Sequence, residues 1–280
     1  MSSEKTVETV IDAVTEAAPE IQAGLPGKRD YVEEDNPSGE DVLEADVWAN
    51  GILRERITEI EGVGGYASEE DEEVTDCGDG YSVTVDPLDG SSNIPSNNIV
   101  GTILGIYDGS LPAKGNELVT SLYVVYGPLT SMVVADDDTV DIYVVTEEGR
   151  HLAEEDISIP DPSVYGFGGR RPKWTEGFRE FAKVIEDELK LRYGGSMVGD
   201  VNQVINYGGI FSYPALSDRP EGKLRMQFEA NPMAYIFENA GGASSDGKQS
   251  LLDAGAEELH QRTPVHLGNE ELIEKLEKIL

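Results

Sequence analysis

The chain of 280 residues contains little cysteine and little histidine. Its one cysteine, Cys77, excludes an intrachain disulfide and fits a reducing compartment. Acidic neighbours should raise the pKa of the Cys77 thiol, so we do not expect a catalytic cysteine. The three histidines do not form a set of metal ligands, and we expect His260 and His266 to be structural.

Positive charge is also scarce: 21 Lys and Arg stand against 55 Asp and Glu, a formal charge of −34. This imbalance excludes electrostatic attraction to nucleic acid or to an anionic membrane. The acids are spread over the whole length, where their mutual repulsion would destabilise a compact state in dilute buffer. Salt screens such repulsion, with a Debye length of about 3 Å at 1 M. We therefore interpret the composition as that of a protein from a high-salt cytoplasm.

Long apolar runs are absent, and none approaches the ~20 residues that a membrane span needs. The N-terminal segment 1–24 is acidic and amphipathic, without the basic and apolar regions of a signal peptide. We expect a soluble, cytoplasmic protein with neither a membrane nor a nucleic acid partner. Hydrophobic residues make up 39% of the chain and recur in periodic segments, which excludes disorder for most of it.

Hydrophobic periodicity and Gly, Pro and Asp punctuation predict a mixed α/β protein. Apolar residues at helical spacing from Val7 to Ile21 predict an N-terminal helix, and the polar residues 33–39 predict a loop. The other elements predicted for the first half are a helix over 40–60 and strands over 81–85, 100–107, 118–126, 131–135 and 140–145.

A boundary at 157–162 precedes the second half, and we expect two abutting units of 1–158 and 159–280. The elements predicted there are strands over 163–167, 209–213 and 224–228 and helices over 174–190 and 198–207. Asn231 and Pro232 should open a further helix that Gly241 ends. Asn269 should cap the last helix.

The strongest local signal is the octapeptide Asp86-Pro87-Leu88-Asp89-Gly90-Ser91-Ser92-Asn93, which follows a clean strand. Asp86 and Asp89 leave the strand end on a proline-stiffened turn, where both carboxylates can face one hard cation. The amides of Gly90, Ser91 and Ser92 can hold a phosphate if they lead into a helical turn. The alternative is an ordinary Asp-Pro turn followed by a Ser/Asn cap.

Three weaker signals are also acidic. Glu69 and Glu70 lie in a run of acids, which alone indicates a solvated surface, but the small residues before them are compatible with a buried strand end. Asp46 occupies the inner apolar stripe of its helix, where a carboxylate is costly without partners; a frayed stripe edge is the alternative. Glu229 lies at a strand-to-helix corner, the usual place for a site in an α/β sheet.

Basic residues concentrate in one region of the chain. Seven of the 21 fall between Arg170 and Arg192, and Lys223 and Arg225 follow. In so acidic a chain this density indicates an anionic ligand; long side chains covering a helix are the alternative. Oxygen ligands without His or Cys favour Mg²⁺ or Mn²⁺. Such ions beside a phosphate cradle predict metal-assisted hydrolysis of a phosphate ester.

At these residues the chain resembles the class I fructose-1,6-bisphosphatase family. The likeness covers most of the chain from about Gly39 onward and includes the whole octapeptide. The other shared motifs are Ser68-Glu69-Glu70, Gly101-Thr102-Ile103-Leu104-Gly105-Ile106-Tyr107, Gly195-Ser196-Met197, Tyr207-Gly208-Gly209-Ile210-Phe211, Gly222-Lys223-Leu224-Arg225, Glu229-Ala230-Asn231-Pro232-Met233-Ala234-Tyr235 and His260-Gln261-Arg262. The resemblance implies a layered αβαβα sandwich, the fold shared with inositol monophosphatases. It also implies Mg²⁺-dependent hydrolysis of the 1-phosphate of fructose 1,6-bisphosphate in gluconeogenesis, with a metal-activated water as the nucleophile.

The resemblance further implies a role for each site residue. The metal site, with two or three Mg²⁺ or Mn²⁺ ions, comprises Glu69, Glu70, Asp86, the Leu88 carbonyl, Asp89 and Glu229. Glu70, helped by Asp46, takes the proton of the attacking water, and Glu40 matches an acidic position on a mobile loop. The substrate contacts are Asp89, Gly90, Ser91, Ser92, Arg192, Tyr193, Met197, Tyr213 and Lys223. In the family the arginine at the Arg192 position comes from a neighbouring subunit, which implies a homo-oligomer, a tetramer or a dimer.

Two stretches depart from the family pattern. Where the family usually has Asn-Glu-Gly-Tyr reaching the distal phosphate, this chain has Gly168-Gly169-Arg170-Arg171. We expect Arg171, with Arg170, to replace the tyrosine contact by a charged one. Gly80 and Asp108 stand where the family has basic residues of its AMP site, so we expect weak or absent inhibition by AMP.

Three other functions remain open. Sedoheptulose bisphosphatase activity requires the same site. Inositol monophosphatases usually carry a Trp-Asp motif where this chain has Gln227-Phe228-Glu229, which argues against them. A regulator that binds metal and sugar phosphate without turnover would not need the intact set of carboxylates.

Overall fold

The computed structural model describes residues 3–37, 39 and 41–280, and of residues 3 and 33–35 the backbone alone. The predicted catalytic residue Glu40 lies outside the described residues. The helices are α1 (Ser3–Gly24), α2 (Glu44–Ile57), α3 (Glu176–Glu188), α4 (Met197–Tyr207), α5 (Asn231–Asn239) and α6 (Glu270–Glu277). Among the described residues, no helix has the length and apolar character that a membrane crossing requires.

The strands are short and numerous. In the first half they are β1 (Tyr31–Asp35), β2 (Asp41–Leu43), β3 (Val63–Ser68), β4 (Thr75–Asp76), β5 (Tyr81–Asp89), β6 (Val100–Tyr107), β7 (Leu118–Tyr126), β8 (Thr130–Ala135), β9 (Val140–Thr146) and β10 (Gly149–Glu154). In the second half they are β11 (Val164–Phe167), β12 (Lys190–Leu191), β13 (Gly209–Tyr213), β14 (Leu224–Arg225), β15 (Ala243–Ser245), β16 (Arg262–Thr263) and β17 (Val265–Gly268).

Two large sheets organise the strands. The first has the order β10-β9-β8-β7-β6-β5-β3-β4, and its neighbours are antiparallel except for the parallel pair β3 and β5. The second has the order β12-β11-β13-β17-β15. There β11 runs parallel to both of its neighbours, β12 and β13, and the remaining pairs are antiparallel. Two further antiparallel pairs, β1 with β2 and β14 with β16, stand apart from these sheets.

Helices cover both sheets and separate them. Val14 of α1 and Leu53 of α2 pack with Val83 on the outer face of the eight-stranded sheet. Between the sheets, α4 and α5 share a core with residues of both, among them Ile103 of β6. On the far face of the five-stranded sheet, α3 and α6 pack against Ile210 of β13. The layers are therefore α, β, α, β and α, which confirms the predicted sandwich.

The polar stretch 33–39 and the start of the second helix differ from the prediction. Residues 33–35 belong to β1, and Asp41–Leu43 form β2, which pairs with it. The helix α2 begins only at Glu44 because the Asp46 side chain accepts the backbone N–H of Leu43 at 2.8 Å, closing the first turn. The predicted loop is therefore wrong for residues 33–35, and the helix start at residue 40 is wrong as well.

The strand predicted over 224–228 is also too long. Only Leu224 and Arg225 are extended, and Met226–Ala230 form a π-helical turn that continues into α5. Asn231 therefore lies inside a continuous helical segment and does not cap it. All of Met226–Ala230 is buried, so hydrophobic alternation carries no signal that separates strand from helix here.

The final helix begins after Asn269, as predicted, but the Asn269 side chain does not cap it. The side-chain amide of Asn269 instead bonds to two other segments of the chain. Its Oδ1 accepts the backbone N–H of Gly209 at 2.6 Å, and its Nδ2 donates to the Pro160 carbonyl at 2.9 Å. Asn269 thus joins α6 to the start of β13 and to the segment between the two halves.

Candidate active site

A cavity of about 270 Å³ opens where β3 and β5 end, beside the N-terminus of α4 and the end of β13. Most of the predicted site residues line it, although they come from distant parts of the chain. Those that do are Asp46, Glu69, Glu70, Asp86, Leu88, Asp89, Gly90, Ser91, Ser92, Tyr193, Met197, Tyr213, Lys223 and Glu229.

Three buried carboxylates form the centre of the cavity. Asp86 and Asp89 come from the end of β5, and Glu229 comes from the π-helical turn before α5. One carboxylate oxygen of each lies within 4.8 Å of the others. Burial raises the pKa of Asp86 and Asp89 well above the usual range, and the neighbouring carboxylates raise it further. The Val198 amide, in the first turn of α4, donates to Asp89 Oδ2 at 2.8 Å and partly offsets this.

Arg225 is a buried cation among these acids; it was predicted as one of the basic residues near an anionic ligand, and its pairing with the acids of the site was not predicted. Its Nη2 lies 2.7 Å from Glu69 Oε1, and its Nη1 lies 3.5 Å from Glu229 Oε2. The Arg225 backbone N–H also donates to Glu229 Oε2 at 2.6 Å. Arg225 therefore joins Glu69, directly after β3, to Glu229 of the π-helical turn. Burial raises the pKa of Glu229 to about 7, although Arg225 opposes this rise.

Glu69 and Glu70 follow β3 directly and lie in the cavity, so they are not a solvated surface run. Burial raises the pKa of Glu70 to about 8, and the charges of Glu69 and Asp46 contribute to the rise. Asn36 reaches this pair from the ribbon of β1 and β2: its Nδ2 donates to Glu69 Oε1 at 3.4 Å. Asn36 is a second site residue that the sequence analysis missed, since a single Asn in a polar loop carries no signal.

Asp46 is buried on α2 and also lines the cavity, so the frayed-stripe alternative is wrong. Burial raises its pKa to about 6, and hydrogen bonds from the Leu43 amide and the Ser91 hydroxyl oppose the rise. Asp46 of α2 thus lies near Ser91, the first residue of the turn that follows β5. A carboxylate on the first turn of a helix is thereby aimed at the predicted phosphate cradle.

The turn after β5 is a short 3₁₀ helix over Ser91–Ser96 that begins after Gly90. Gly90 has a φ of +74°, and a Cβ there would lie 2.2 Å from the Cβ of Ser196. Only glycine permits this conformation together with this close approach to the start of α4. Ser91 and Ser92 occupy the first positions of the turn, where backbone N–H groups have no partner within the helix. The octapeptide thus forms a carboxylate pair followed by amides that have no partner within the helical turn.

Aromatic and basic side chains line the same cavity. Lys223 lies with its Nζ 5.8 Å from the centroid of the Tyr213 ring, and both residues line the cavity. Tyr193 and Met197 line it as well, on either side of the Gly194-Gly195 turn. The Lys223 ammonium group and the flat rings of Tyr193 and Tyr213 suit a sugar that carries a second anionic group.

Three of the predicted arginine contacts lie outside the cavity lining. Arg170 and Arg171 are exposed, and Arg171 Nη2 lies 3.6 Å from Glu186 of α3. Arg192 is also exposed and directed toward α4, where its Nη1 donates to Gln203 Oε1 at 3.3 Å and its guanidinium faces the Tyr207 ring. Within one copy of the chain these arginines do not line the cavity with the described acids, and their roles stay predictions.

Asp200 is another cavity residue that the sequence analysis missed. It is buried on α4, and its carboxylate accepts the backbone N–H groups of Gly194 and Gly195. Burial raises its pKa to about 6. The pattern that identified Asp46, an acid on the inner face of a helix, would also have identified Asp200. Asp200 holds the glycine turn that carries Tyr193 into the cavity.

The histidines and the cysteine lie outside the metal-binding candidates. His266 is buried, with Nδ1 2.9 Å from Ser212 Oγ, and burial lowers its pKa to about 3. His260 Nε2 lies 2.8 Å from the Asp71 carbonyl oxygen, and its ring packs on Phe228. Burial raises the pKa of Cys77, as predicted, and Asp76 adds to the rise.

The donor set fits a hard divalent cation. Asp86, Asp89 and Glu229 supply only oxygen ligands, and these three buried carboxylates lie together beside one guanidinium, that of Arg225. Mg²⁺ prefers such carboxylate oxygens and is bound in proteins by few of them together with substrate phosphates. The residues present therefore fit Mg²⁺ or Mn²⁺.

Comparison with known proteins agrees with this site. The sequence matches the family "Fructose-1-6-bisphosphatase, N-terminal domain" over residues 7–155 and "Fructose-1-6-bisphosphatase, C-terminal domain" over residues 159–280. It is 52% identical to a class 1 fructose-1,6-bisphosphatase of Natronomonas pharaonis, over 98% of each chain. It is 54% identical to that of Halobacterium salinarum, over 98% of this chain and 97% of the other. Both relatives come from halophilic archaea.

The fold agrees as well. The crystal structure of Leishmania major fructose-1,6-bisphosphatase in holo form superposes with a TM-score of 0.93 at 30% identity, covering 99% of this chain and 95% of the other. The family match, the full-length relatives and the fold agree with one another. The chain belongs to the class 1 fructose-1,6-bisphosphatase family.

Proposed function

We propose that this chain is a phosphoric monoester hydrolase that converts fructose 1,6-bisphosphate to fructose 6-phosphate and phosphate in gluconeogenesis. One observation carries the proposal. Six acids from four segments converge in one cavity beside the amides of the turn that follows β5. These acids are Asp46, Glu69, Glu70, Asp86, Asp89 and Glu229. Tyr193, Tyr213 and Lys223 line the same cavity and can contact a sugar phosphate bound there.

Divalent cations are part of the proposal. We assign two or three Mg²⁺ ions, or Mn²⁺, to Glu69, Glu70, Asp86, Asp89, Glu229 and the Leu88 carbonyl. When bound, such ions neutralise charge on the transferring phosphoryl group and make water a stronger nucleophile at neutral pH.

Glu70 is the proposed general base for the attacking water. In the metal-free chain burial raises the pKa of Glu70 to about 8, so its carboxylate takes up a proton more readily than an ordinary one. Asp46, beside Glu70, would share the proton and orient the Ser91 hydroxyl. Glu40 stays a predicted helper on the segment between β1 and β2.

In the proposed complex, fructose 1,6-bisphosphate extends from the amides after β5 to Lys223. The amides at Gly90, Ser91 and Ser92 hold the phosphate that is cleaved, next to Asp89. Lys223 binds the second phosphate by charge, while Tyr193, Met197 and Tyr213 contact the sugar.

Arg192 belongs to a different copy of the site in this proposal. Its exposed position and its direction away from the cavity of its own chain support a contact with a neighbouring subunit, as expected of a dimer or tetramer. Arg170 and Arg171 are also exposed and are proposed to add charge at the distal phosphate.

The domain boundary and the cytoplasmic location also stay proposals. We place the boundary between residues 158 and 159. The eight-stranded sheet ends at Glu154 and the five-stranded sheet begins at Val164, which supports this division.

Phosphate release from a panel of substrates tests the function. In molar KCl with Mg²⁺, we expect turnover of fructose 1,6-bisphosphate to exceed that of inositol 1-phosphate and of sedoheptulose 1,7-bisphosphate. Glu70→Gln should abolish turnover and leave substrate binding measurable by calorimetry. The matched control is Glu73→Gln, which changes an exposed acid of the same run and should retain activity.

Other outcomes separate the alternatives. A preference for inositol 1-phosphate or for sedoheptulose 1,7-bisphosphate would replace the proposed substrate. Binding of fructose 1,6-bisphosphate without phosphate release by the wild-type chain would favour a regulator.

A further inference from the structure

An unusual backbone conformation sets the position of the Glu229 side chain. It lies in the π-helical turn Met226–Ala230, whose last bond runs from the Asn231 N–H to the Met226 carbonyl. π-helical turns are rare and are found mainly at functional sites, because the wider turn displaces one residue from the ordinary helical surface. Here the displaced geometry lets a residue at the start of a helix point a carboxylate into the cavity.

Gln227 belongs to this turn but is not among the residues that line the cavity. Its side chain is fully buried and makes two hydrogen bonds to one residue of the segment between β6 and β7. The Ala113 backbone N–H donates to Gln227 Oε1 at 2.9 Å, and Gln227 Nε2 donates to the Ala113 carbonyl at 2.7 Å. A third bond, from the Tyr107 hydroxyl to the Gln227 carbonyl at 3.3 Å, fixes the backbone of the same turn.

These bonds connect Glu229 to a rigid support. Tyr107 is the last residue of β6, a central strand of the eight-stranded sheet, and Ala113 follows it in the chain. Gln227 lies two residues before Glu229, and both belong to the same turn. A buried amide that satisfies both backbone groups of one residue makes a specific contact, since an apolar side chain would leave those groups unpaired.

We propose that Gln227 is a positioning residue for metal binding: its amide anchors the π-helical turn to Ala113 and thereby holds Glu229 at the position where it faces Asp86 and Asp89. Gln227 does not touch the acids itself. This inference rests on the proposed function for the identity of the ion, and on the geometry of the turn for the role of the residue.

The test measures binding of Mn²⁺ alone, by calorimetry in molar KCl, together with kcat, KM and the Mg²⁺ concentration for half-maximal activity. Gln227→Met keeps the size of the side chain and removes both bonds to Ala113. We expect a loss of Mn²⁺ affinity of about 10-fold or more, the usual effect of losing a residue that supports a ligand. The KM for the sugar bisphosphate should stay within about two-fold of the wild type.

Gln22→Met is the matched control. Gln22 also makes two bonds through its amide, to the Gly127 carbonyl at 3.4 Å and to the Thr130 hydroxyl at 2.6 Å, but it lies on α1 away from the acids. It should leave Mn²⁺ affinity unchanged. In a Glu229→Gln background, Gln227→Met should cause no further loss, because the carboxylate that it positions is already gone.

Several results would overturn the inference. Wild-type Mn²⁺ affinity in folded Gln227→Met is one, and an equal loss in Gln22→Met or a further loss in the Glu229→Gln background are others. If Gln227→Met does not fold, Mn²⁺ binding by Tyr107→Phe is the test instead. This variant removes the hydrogen bond from the Tyr107 hydroxyl to the Gln227 carbonyl and should weaken Mn²⁺ binding more mildly; unchanged affinity would overturn the inference. If the wild-type chain releases no phosphate while its Mn²⁺ affinity still depends on Gln227, the proposed function fails and this inference stands.

Discussion

At the scale of single residues, Glu70 connects the chemistry of the site to the stability of the protein. Without metal its pKa is raised from 4.5 to about 8 by burial and by the charges of Glu69 and Asp46. Between these two values the folded chain keeps a proton that the unfolded chain has lost. The free energy of unfolding must therefore fall as the pH rises through this window.

Glu70→Gln removes that titration. We expect the metal-free variant to lose less stability than the wild type between pH 5 and pH 8, and to be more stable than the wild type at pH 8. Urea unfolding at fixed KCl concentration in the presence of a chelator measures this difference. Parallel pH profiles of the variant and the wild type would contradict the assignment, and Glu73→Gln should give the wild-type profile.

At the scale of elements, the contact between the turn after β5 and the start of α4 is tight. Gly90→Ala would place a Cβ 2.2 Å from Ser196 Cβ at a φ of +74°. We expect this to separate the turn from α4, lower the free energy of unfolding by about 2–4 kcal/mol and reduce turnover.

The control for Gly90→Ala is Gly241→Ala. Gly241 has nearly the same φ, +76°, with nothing within 4 Å of a Cβ. It should lose about 1–2 kcal/mol from backbone strain and keep its activity. Unfolding curves and phosphate release compare the two variants, and equal effects on turnover would show that the contact with Ser196 does not matter.

The elements also show how far sequence reasoning reaches. β6 and β7 have the predicted bounds, because their apolar and β-branched residues lie between Asn, Asp, Gly and Pro residues that end strands. β14 and the π-helical turn do not, because burial on all sides removes any alternation. The β1–β2 ribbon was missed since its polar residues resemble a loop, and its pairing depends on a partner strand.

The same limit applies to the site. The predicted acids could be found because they follow strands or interrupt apolar stripes. Arg225 joins Glu69 to Glu229, and Gln227 bonds to Ala113, across segments that are far apart in the chain. Such contacts between distant segments have no spacing that a single sequence displays, so only the fold reveals them.

At the scale of the whole molecule, the net charge of −34 governs stability. Repulsion among acids spread over the surface weakens as salt shortens the Debye length from about 10 Å at 0.1 M to about 3 Å at 1 M. We expect the melting temperature to rise steadily between 0.1 M and molar KCl. A melting temperature that does not rise over this range would contradict the high-salt interpretation.

The central claim is that carboxylates from separate segments bind divalent cations beside the phosphate cradle. Anomalous scattering from a crystal of the wild-type protein with Mn²⁺ and inorganic phosphate tests it most directly. The account predicts Mn²⁺ peaks coordinated by Asp86, Asp89 and Glu229, with phosphate at the amides of Ser91 and Ser92. Mn²⁺ bound only elsewhere, with this cavity free of it, would contradict the account.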